Sequence, residues 1–175
     1  MASWTKTVLD RIGLMAWDAD TTLKTAYTGY QPSIDKSVRP CIIVSEDGES
    51  YPVYASENEQ PEMRVVIDYI GPFFTADCQE EYEEIARQTA DNLIEYFMRR
   101  PQLPFSNVRN HAQLTAKGNL VSVKWARISD RTKTTLVTRF GLEQAFWGVT
   151  LNMTVVRAWD YEEVIAYADD DPIAL

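Results

Sequence analysis

Residues 61–100 of this chain read PEMRVVIDYIGPFFTADCQEEYEEIARQTADNLIEYFMRR, and this stretch decides the fold. Apolar and polar residues alternate over 63–69, which predicts a β-strand with one buried face. A long helix follows, because apolar side chains then recur at steps of three and four residues and Pro101 can stop the helix. The apolar stripe consists of Tyr82, Ile85, Ala86, Leu93 and Phe97. A stripe of this kind predicts a helix that covers a β-sheet.

The predicted helix also has charged ends and a charged outer face. Thr75 or Asp77 can cap its N-terminus, and Glu80 follows Asp77 at the spacing of a capping box. Arg99 and Arg100 complement the negative end of the helix dipole. The side chains opposite the apolar stripe are Glu84, Arg87, Asp91 and Glu95. We expect this outer face to meet either solvent or a neighbouring subunit.

The N-terminal part of the chain predicts a second helix and another strand. Residues 4–16 have apolar side chains on one face and Ser3 available as the cap. Weaker periodicity over 21–27 allows a short additional helix. The β-branched run at 41–44 predicts a strand buried on both faces, and Asp47-Gly48 after it is a turn signal.

The C-terminal half predicts three more strands. Alternation favours strands over 120–128 and 134–140, joined as a hairpin by 129–133. This alternation places Trp125 on the core side. The last strand has the clearest pattern, and its apolar face consists of Trp147, Val149, Leu151, Met153 and Val155. Its other face carries threonine and asparagine, which is typical of an antiparallel sheet with one covered side.

The order of these elements predicts an α+β fold. We expect a mostly antiparallel β-sheet of four to five strands, packed by one long amphipathic helix, with an N-terminal helix. A chain of 175 residues fits one domain of this kind. We place the domain at residues 1–160 and an acidic C-terminal tail at 161–175.

Charge is unevenly distributed along the chain. There are 17 basic and 26 acidic residues, giving a formal net charge of −9, which argues against a protein that coats nucleic acid or reads its sequence. Residues 45–62 are acidic without a basic residue, and residues 106–140 are strongly basic. One interpretation is solvated surface. The other is a pair of complementary faces in an oligomer.

Motifs that carry catalysis or bind cofactors are not recognisable in the sequence. The single histidine, His111, lies in a polar segment, where a general base would need an orienting partner and a nucleophile that the sequence cannot place. Two cysteines, Cys41 and Cys78, form no disulfide or zinc pattern. The sequence contains no phosphate-binding glycine loop, no nucleophile elbow and no metalloprotease motif, and no apolar run is long enough to span a membrane. We therefore predict a non-enzymatic protein with no cofactor, metal or membrane partner.

Four segments occur in a recognisable order along the chain. They are RPCIIV at 39–44, EMRVVIDYIG at 62–71, DCQEEYEEIARQTADNLIEYF at 77–97, and FWGVTLNMTVVRAW at 146–159. In this order of segments, which follows an N-terminal helix and covers about residues 5–160, the chain resembles the phage tail terminator and minor tail protein family. The long acidic C-terminus and the 101–118 segment depart from short family members.

This resemblance implies a structural virion protein of the phage tail or neck, assembled in the host cytoplasm. Such a protein forms a homo-oligomeric ring, commonly a hexamer, that caps the tail tube protein and meets the head-tail connector protein. The alternatives are another head-tail connector protein, or a small acidic soluble binding module of the inhibitor or immunity type. The candidate inter-subunit residues are Lys124, Arg127, Arg131, Lys133, Arg139, Glu46, Asp47, Glu57, Glu59, Glu84, Arg87 and Asp91.

Overall fold

The computed structural model of the chain describes residues 3–31, 34–50, 62–74, 78–103, 123–137 and 145–157. These residues form an α+β fold with two α-helices and one mixed sheet of six strands. In chain order the elements are α1 (Trp4–Ala19), β1 (Thr25–Thr28), a 3₁₀ turn (Lys36–Val38), β2 (Cys41–Ser50), β3 (Glu62–Ile70), α2 (Gln79–Met98), β4 (Val123–Arg131), β5 (Thr135–Val137) and β6 (Phe146–Arg157).

The predicted N-terminal helix is confirmed and extends to Ala19. The Ser3 side chain accepts a hydrogen bond from the Lys6 backbone N–H at 3.2 Å, so it satisfies a donor that the first turn leaves open. Val8 and Ile12 are fully buried on the face that meets the sheet. This face packs on β1 and β2, while α2 packs on β6 and β4.

The short helix predicted over 21–27 is wrong, because Thr25–Thr28 is strand β1. It runs parallel to β2, with Thr25 opposite Cys41 and Thr28 opposite Val44. Residues on either side of β1 are also tied to this neighbour. Lys24 N–H donates to Pro40 O and Gly29 N–H donates to Val44 O, both at 2.8 Å. These long-range bonds override the weak local periodicity and add a strand to the edge of the sheet.

The turn predicted at Asp47-Gly48 is also wrong, because β2 continues through it to Ser50. The chain forms a bulge between Glu46 and Glu49, and Gly48 takes φ +98°, a conformation that suits glycine. Arg64 on β3 donates from Nη2 to the Asp47 carbonyl at 3.1 Å and holds the bulge in place.

Strands β3 and β6 form the centre of the sheet, and both predicted patterns are confirmed. Val65 pairs with Met153 and Ile67 with Leu151, and all four side chains are at most 1% exposed. Helix α2 buries Leu93, Phe97 and smaller side chains against this sheet. Burying a large apolar side chain contributes roughly 1.5–3 kcal/mol of transfer free energy, so this contact carries much of the core.

The hairpin predicted at 129–133 is wrong. Both β4 and β5 pair antiparallel with β6 along the same edge, with Arg131 opposite Leu151 and Thr135 opposite Gly148. They therefore run in the same direction along the same edge of β6, with an interruption between Arg131 and Thr135. The Thr132 N–H and the Thr150 carbonyl, 2.8 Å apart, bridge the interruption.

The sheet order is β1-β2-β3-β6-β4, and β5 pairs with β6 on the same side as β4, further along the strand. Six strands exceed the four to five predicted, and β1 makes the otherwise antiparallel sheet mixed. A bulge between Val123 and Trp125 also changes which β4 side chains face the core. Ala126 is buried there, whereas Trp125, predicted to lie in the core, is half-buried outside the core cluster.

The N-terminal residue of α2 differs from the prediction. Its N-cap is Cys78, and no side chain caps the helix there. Thr75 and Asp77, the two predicted caps, lie outside the described residues. Two glutamates, Glu80 and Glu81, occupy the first turn, where negative charge favours the helix dipole.

Candidate interaction surfaces

One long edge of the sheet is basic, and we call it the basic edge. It consists of β4 and the residues directly after it, where Lys124, Arg127, Arg131 and Lys133 are all exposed. The Arg127 guanidinium lies over the Trp125 ring, 5.6 Å from its centroid. Arg139, also predicted for this surface, lies outside the described residues. The basic character predicted from the sequence is therefore concentrated along one strand.

Arg131 differs from the other cations of the basic edge because it is paired within the chain. Its Nη1 lies 2.5 Å from Oδ1 of Asp91 on α2. The two side chains are 36% and 61% exposed, so water screens the pair and its contribution to stability is small. Two residues predicted to contact neighbouring subunits are thus brought together in one protomer.

The opposite side of the sheet carries the acidic edge, which we define as residues 45–50 of β2. Strand β1 covers β2 only as far as Val44, so in the described ranges no strand flanks these residues on that side. Glu46 and Asp47 are exposed. Glu49 is half-buried and accepts a hydrogen bond from Thr5 Oγ1 at 3.3 Å. Glu57 and Glu59, which were predicted to extend this surface, lie outside the described residues.

The outward face of α2 is exposed as predicted, but its charges are largely paired locally. Arg87 contacts Glu83 one turn earlier and Glu84 at 3.4 Å. Asp91 binds Arg131, and Glu95 lies 2.6 Å from Arg99. The pairs within the helix, those of Arg87 and Arg99, contribute a few tenths of a kcal/mol each to helix stability. This face therefore presents less unpaired charge than either edge of the sheet.

The sheet face opposite the helices is mixed in polarity. Arg64, Thr154 and Arg127 lie side by side on β3, β6 and β4, and the next polar row contains Asn152 and Asp130. Asn152 Nδ2 donates to Asp130 Oδ1, and Thr150 Oγ1 donates to Asp68 Oδ1, each at 2.5 Å. These cross-strand bonds satisfy the polar groups within the sheet.

Tyr30 is a surface residue that the sequence analysis missed. Its side chain is 87% exposed, directly after Gly29, whose N–H binds the Val44 carbonyl at 2.8 Å. Tyr30 is therefore held beside the start of the acidic edge. The only signal in the sequence was an aromatic residue within a polar connector, which is too weak to distinguish an exposed ring from a buried one.

A shallow cleft of about 470 Å³ lies between α1 and β1. Leu14 and Trp17 form one wall and Thr25–Thr28 the other. Its single carboxylate, Asp10, lies 2.6 Å from Lys6 Nζ and accepts from Thr28 Oγ1 at 2.9 Å. Both carboxylate oxygens of Asp10 are therefore already paired within the chain.

The two cysteines occupy different environments. Cys41 is fully buried, and burial raises the pKa of its thiol to about 11 despite the nearby Arg39 charge. Cys78 is half-buried at the N-terminus of α2. His111 lies outside the described residues, so a pairing of this histidine with either thiol is not tested. In the part of the chain that the structure describes, no three His, Cys, Asp or Glu side chains converge as a metal site.

A buried carboxylate links the two helices. Asp20 is 5% exposed at the C-terminus of α1, and its Oδ2 accepts from Asn92 Nδ2 of α2 at 3.0 Å. Its Oδ1 accepts from the Thr22 N–H and hydroxyl at 2.8 and 2.6 Å. Burial alone would raise the pKa of Asp20, but the hydrogen bonds from Thr22 and Asn92 outweigh it and lower the pKa. The carboxylate therefore stays ionised and orients α1 against α2.

Comparison with known proteins adds no relative to this description. No protein-family model matches the chain, and no curated protein matches it significantly. Among the described residues, no helix has the length and hydrophobicity needed to cross a bilayer.

Proposed function

We propose that this chain is a structural subunit of a phage tail or neck, and that it assembles head to tail into a closed ring. The observation that carries the proposal is the opposite charge of the two sheet edges, basic on β4 and acidic on residues 45–50 of β2. Ring formation by rotation requires one surface of a protomer to fit a different surface of the next. Two edges of unlike charge meet that requirement.

The geometry also suits a rotational contact. β3 and β6 separate β2 from β4, so the two edges are three inter-strand spacings apart, or about 14 Å at about 4.8 Å each. That separation prevents the edges from neutralising each other in one protomer. The long amphipathic helix α2 would keep the sheet stiff. Complementary charge of this kind sets register and orientation and raises the rate of association.

The phage role rests on the sequence resemblance to tail terminators. In this proposal the subunit is not an enzyme, the ring is a hexamer, and it is a component of the virion assembled in the host cytoplasm. One ring face meets the tail tube protein and the other meets the head-tail connector protein. The absence of a reactive constellation among the described residues is compatible with this role and with other binding roles.

Charge exchange between the two edges tests the proposed ring contact. The first variant combines Lys124→Glu, Arg127→Glu and Lys133→Glu, and it keeps Arg131 because that residue pairs with Asp91. The second combines Glu46→Lys with Asp47→Lys. Each variant alone brings like charges together, so we expect association to weaken at least about tenfold at about 50 mM salt and less at high salt. Light scattering on a sizing column at two protein concentrations measures the assembly.

Restoring opposite charges should restore the contact. An equimolar mixture of the two variants, or a chain carrying all five substitutions, is expected to assemble nearly as well as the original protein. The control variant Lys24→Glu/Lys36→Glu reverses exposed charges outside both edges and should leave assembly unchanged. If the original protein assembles but neither the mixture of variants nor the chain with all five substitutions does, the two edges are not partners.

Binding to tail tubes tests the phage role separately. Purified chain should co-sediment with uncapped tail tubes and stop further tube growth. A protein that stays monomeric at every concentration and also fails to bind tubes would contradict the proposal. That result would instead favour the binding-module alternative.

A further inference from the structure

We infer that Tyr30 is the aromatic anchor of the subunit contact and that it packs against Arg127 from the basic edge of a neighbouring copy. This inference rests on the proposed function, because it names one residue pair within the proposed edge-to-edge contact. It goes beyond charge matching, since it assigns the contact an apolar centre.

The exposure of Tyr30 is the first observation. Among the described residues, Tyr30 and Met98 are the two large hydrophobic side chains that stay exposed, at 87% and 70%. Tyrosine is enriched among the few residues that carry most of the binding energy of an interface. Its ring adds apolar area at a low entropic cost, while its hydroxyl can stay hydrated.

The backbone holds Tyr30 in place. Gly29 takes φ +80°, and its N–H is fixed to the Val44 carbonyl at 2.8 Å. Val44 is the last β2 residue that pairs with β1, and the acidic edge begins at the next residue. Tyr30 therefore directly follows a backbone position that is anchored next to the start of the acidic edge, which lowers the entropic cost of binding.

The chemistry of this surface suits an arginine. The exposed ring offers a guanidinium a π face, and the acidic edge that begins at residue 45 offers it negative charge. The chain already packs arginines over rings internally, with Arg100 3.8 Å from the Tyr96 centroid and Arg157 4.9 Å from that of Trp4. Arg127 is the exposed arginine of the basic edge for which no carboxylate partner is found among the described residues, and its contact with Trp125 is longer, at 5.6 Å. Charge complementarity therefore selects a second copy as the partner.

Substitution of Tyr30 tests this assignment on the full-length protein. We expect Tyr30→Ala to weaken ring assembly by roughly tenfold or more, whereas Tyr30→Phe keeps the ring and most of the affinity. Met98→Ala removes the other exposed hydrophobic side chain, outside both edges, and should leave assembly unchanged. Sedimentation equilibrium gives the association constants. At a concentration where all the proteins are monomeric, the melting temperature of each variant should match that of the original protein, because neither side chain is part of the core.

A double-mutant cycle with Arg127→Ala identifies the partner. If the two residues touch across the interface, the double variant assembles only slightly less well than either single variant. Independent, additive losses would overturn the inference, and so would an unchanged association constant for Tyr30→Ala. Either result would leave the proposed ring standing, whereas an original protein that stays monomeric and also fails to bind tail tubes would refute the proposed function.

Discussion

Replacing Asp20 with alanine should destabilise the fold by removing a buried hydrogen-bonded carboxylate, one of whose bonds joins α1 to α2. The substitution removes a nearly fully buried carboxylate that accepts three hydrogen bonds, two from Thr22 and one from Asn92. Each such bond contributes about 1 kcal/mol net, so we expect a loss of about 3 kcal/mol in the free energy of unfolding. A domain of this size has about 5–15 kcal/mol in total, so the loss is a large fraction.

Urea unfolding at pH 7, followed by far-ultraviolet circular dichroism, measures this loss. With an m-value of about 2 kcal/mol/M, the midpoint should fall by about 1.5 M. Asp35→Ala is the matched control, because Asp35 accepts the same type of bond from the Ser37 N–H at 2.8 Å but is exposed. We expect a much smaller change for it. An Asp20→Ala midpoint equal to that of the Asp35 control would refute the reasoning.

We expect the loss of stability caused by Asp20→Ala to depend on pH. The pKa of Asp20 is lower in the folded chain than its ordinary value of 3.8, so the folded state binds fewer protons than the unfolded state. The stabilisation is therefore fully present above about pH 4 and is lost as the pH falls through the folded pKa. The difference in the free energy of unfolding between the original protein and Asp20→Ala should become smaller as the pH is lowered. A constant difference from pH 7 to about pH 3 would show that the ionised form is not the stabilising one.

Two further predictions concern the sheet and the thiols. Gly71→Ala would place a Cβ 2.9 Å from the Trp147 carbonyl oxygen, so we expect urea unfolding to show a loss of about 1–3 kcal/mol in the free energy of unfolding. The control is Gly148→Ala, whose Cβ meets nothing closer than 3.5 Å and which should lose less. Equal losses would contradict this account of close strand approach. For the thiols, a disulfide reagent at about pH 8 should modify Cys78 in the native protein and reach Cys41 only in urea, because burial raises the pKa of Cys41 to about 11. Rapid reaction of both thiols under native conditions would show that Cys41 is accessible.

The sequence by itself determined the elements whose periodicity is strong and local. The buried faces of β3 and β6 match the predicted ones, and α2 buries Ala86, Leu93 and Phe97 of its predicted stripe but leaves Tyr82 and Ile85 half-buried. The Ser3 cap of α1 is equally local, because its side chain binds a backbone group three residues away. The separation of charge into an acidic and a basic segment was also visible in the sequence, although not the edges on which the segments lie.

Tertiary structure decided which strands pair and which side chains meet. β1 is a strand because β2 supplies its hydrogen bonds. β4 and β5 run in the same direction because both pair antiparallel with the same edge of β6. The bulge before Trp125 moved that ring out of the core, and the packing of α2 over β4 joined Asp91 to Arg131. These outcomes depend on partners up to several tens of residues away. A local pattern shows that a strand needs a neighbour but not which neighbour satisfies it.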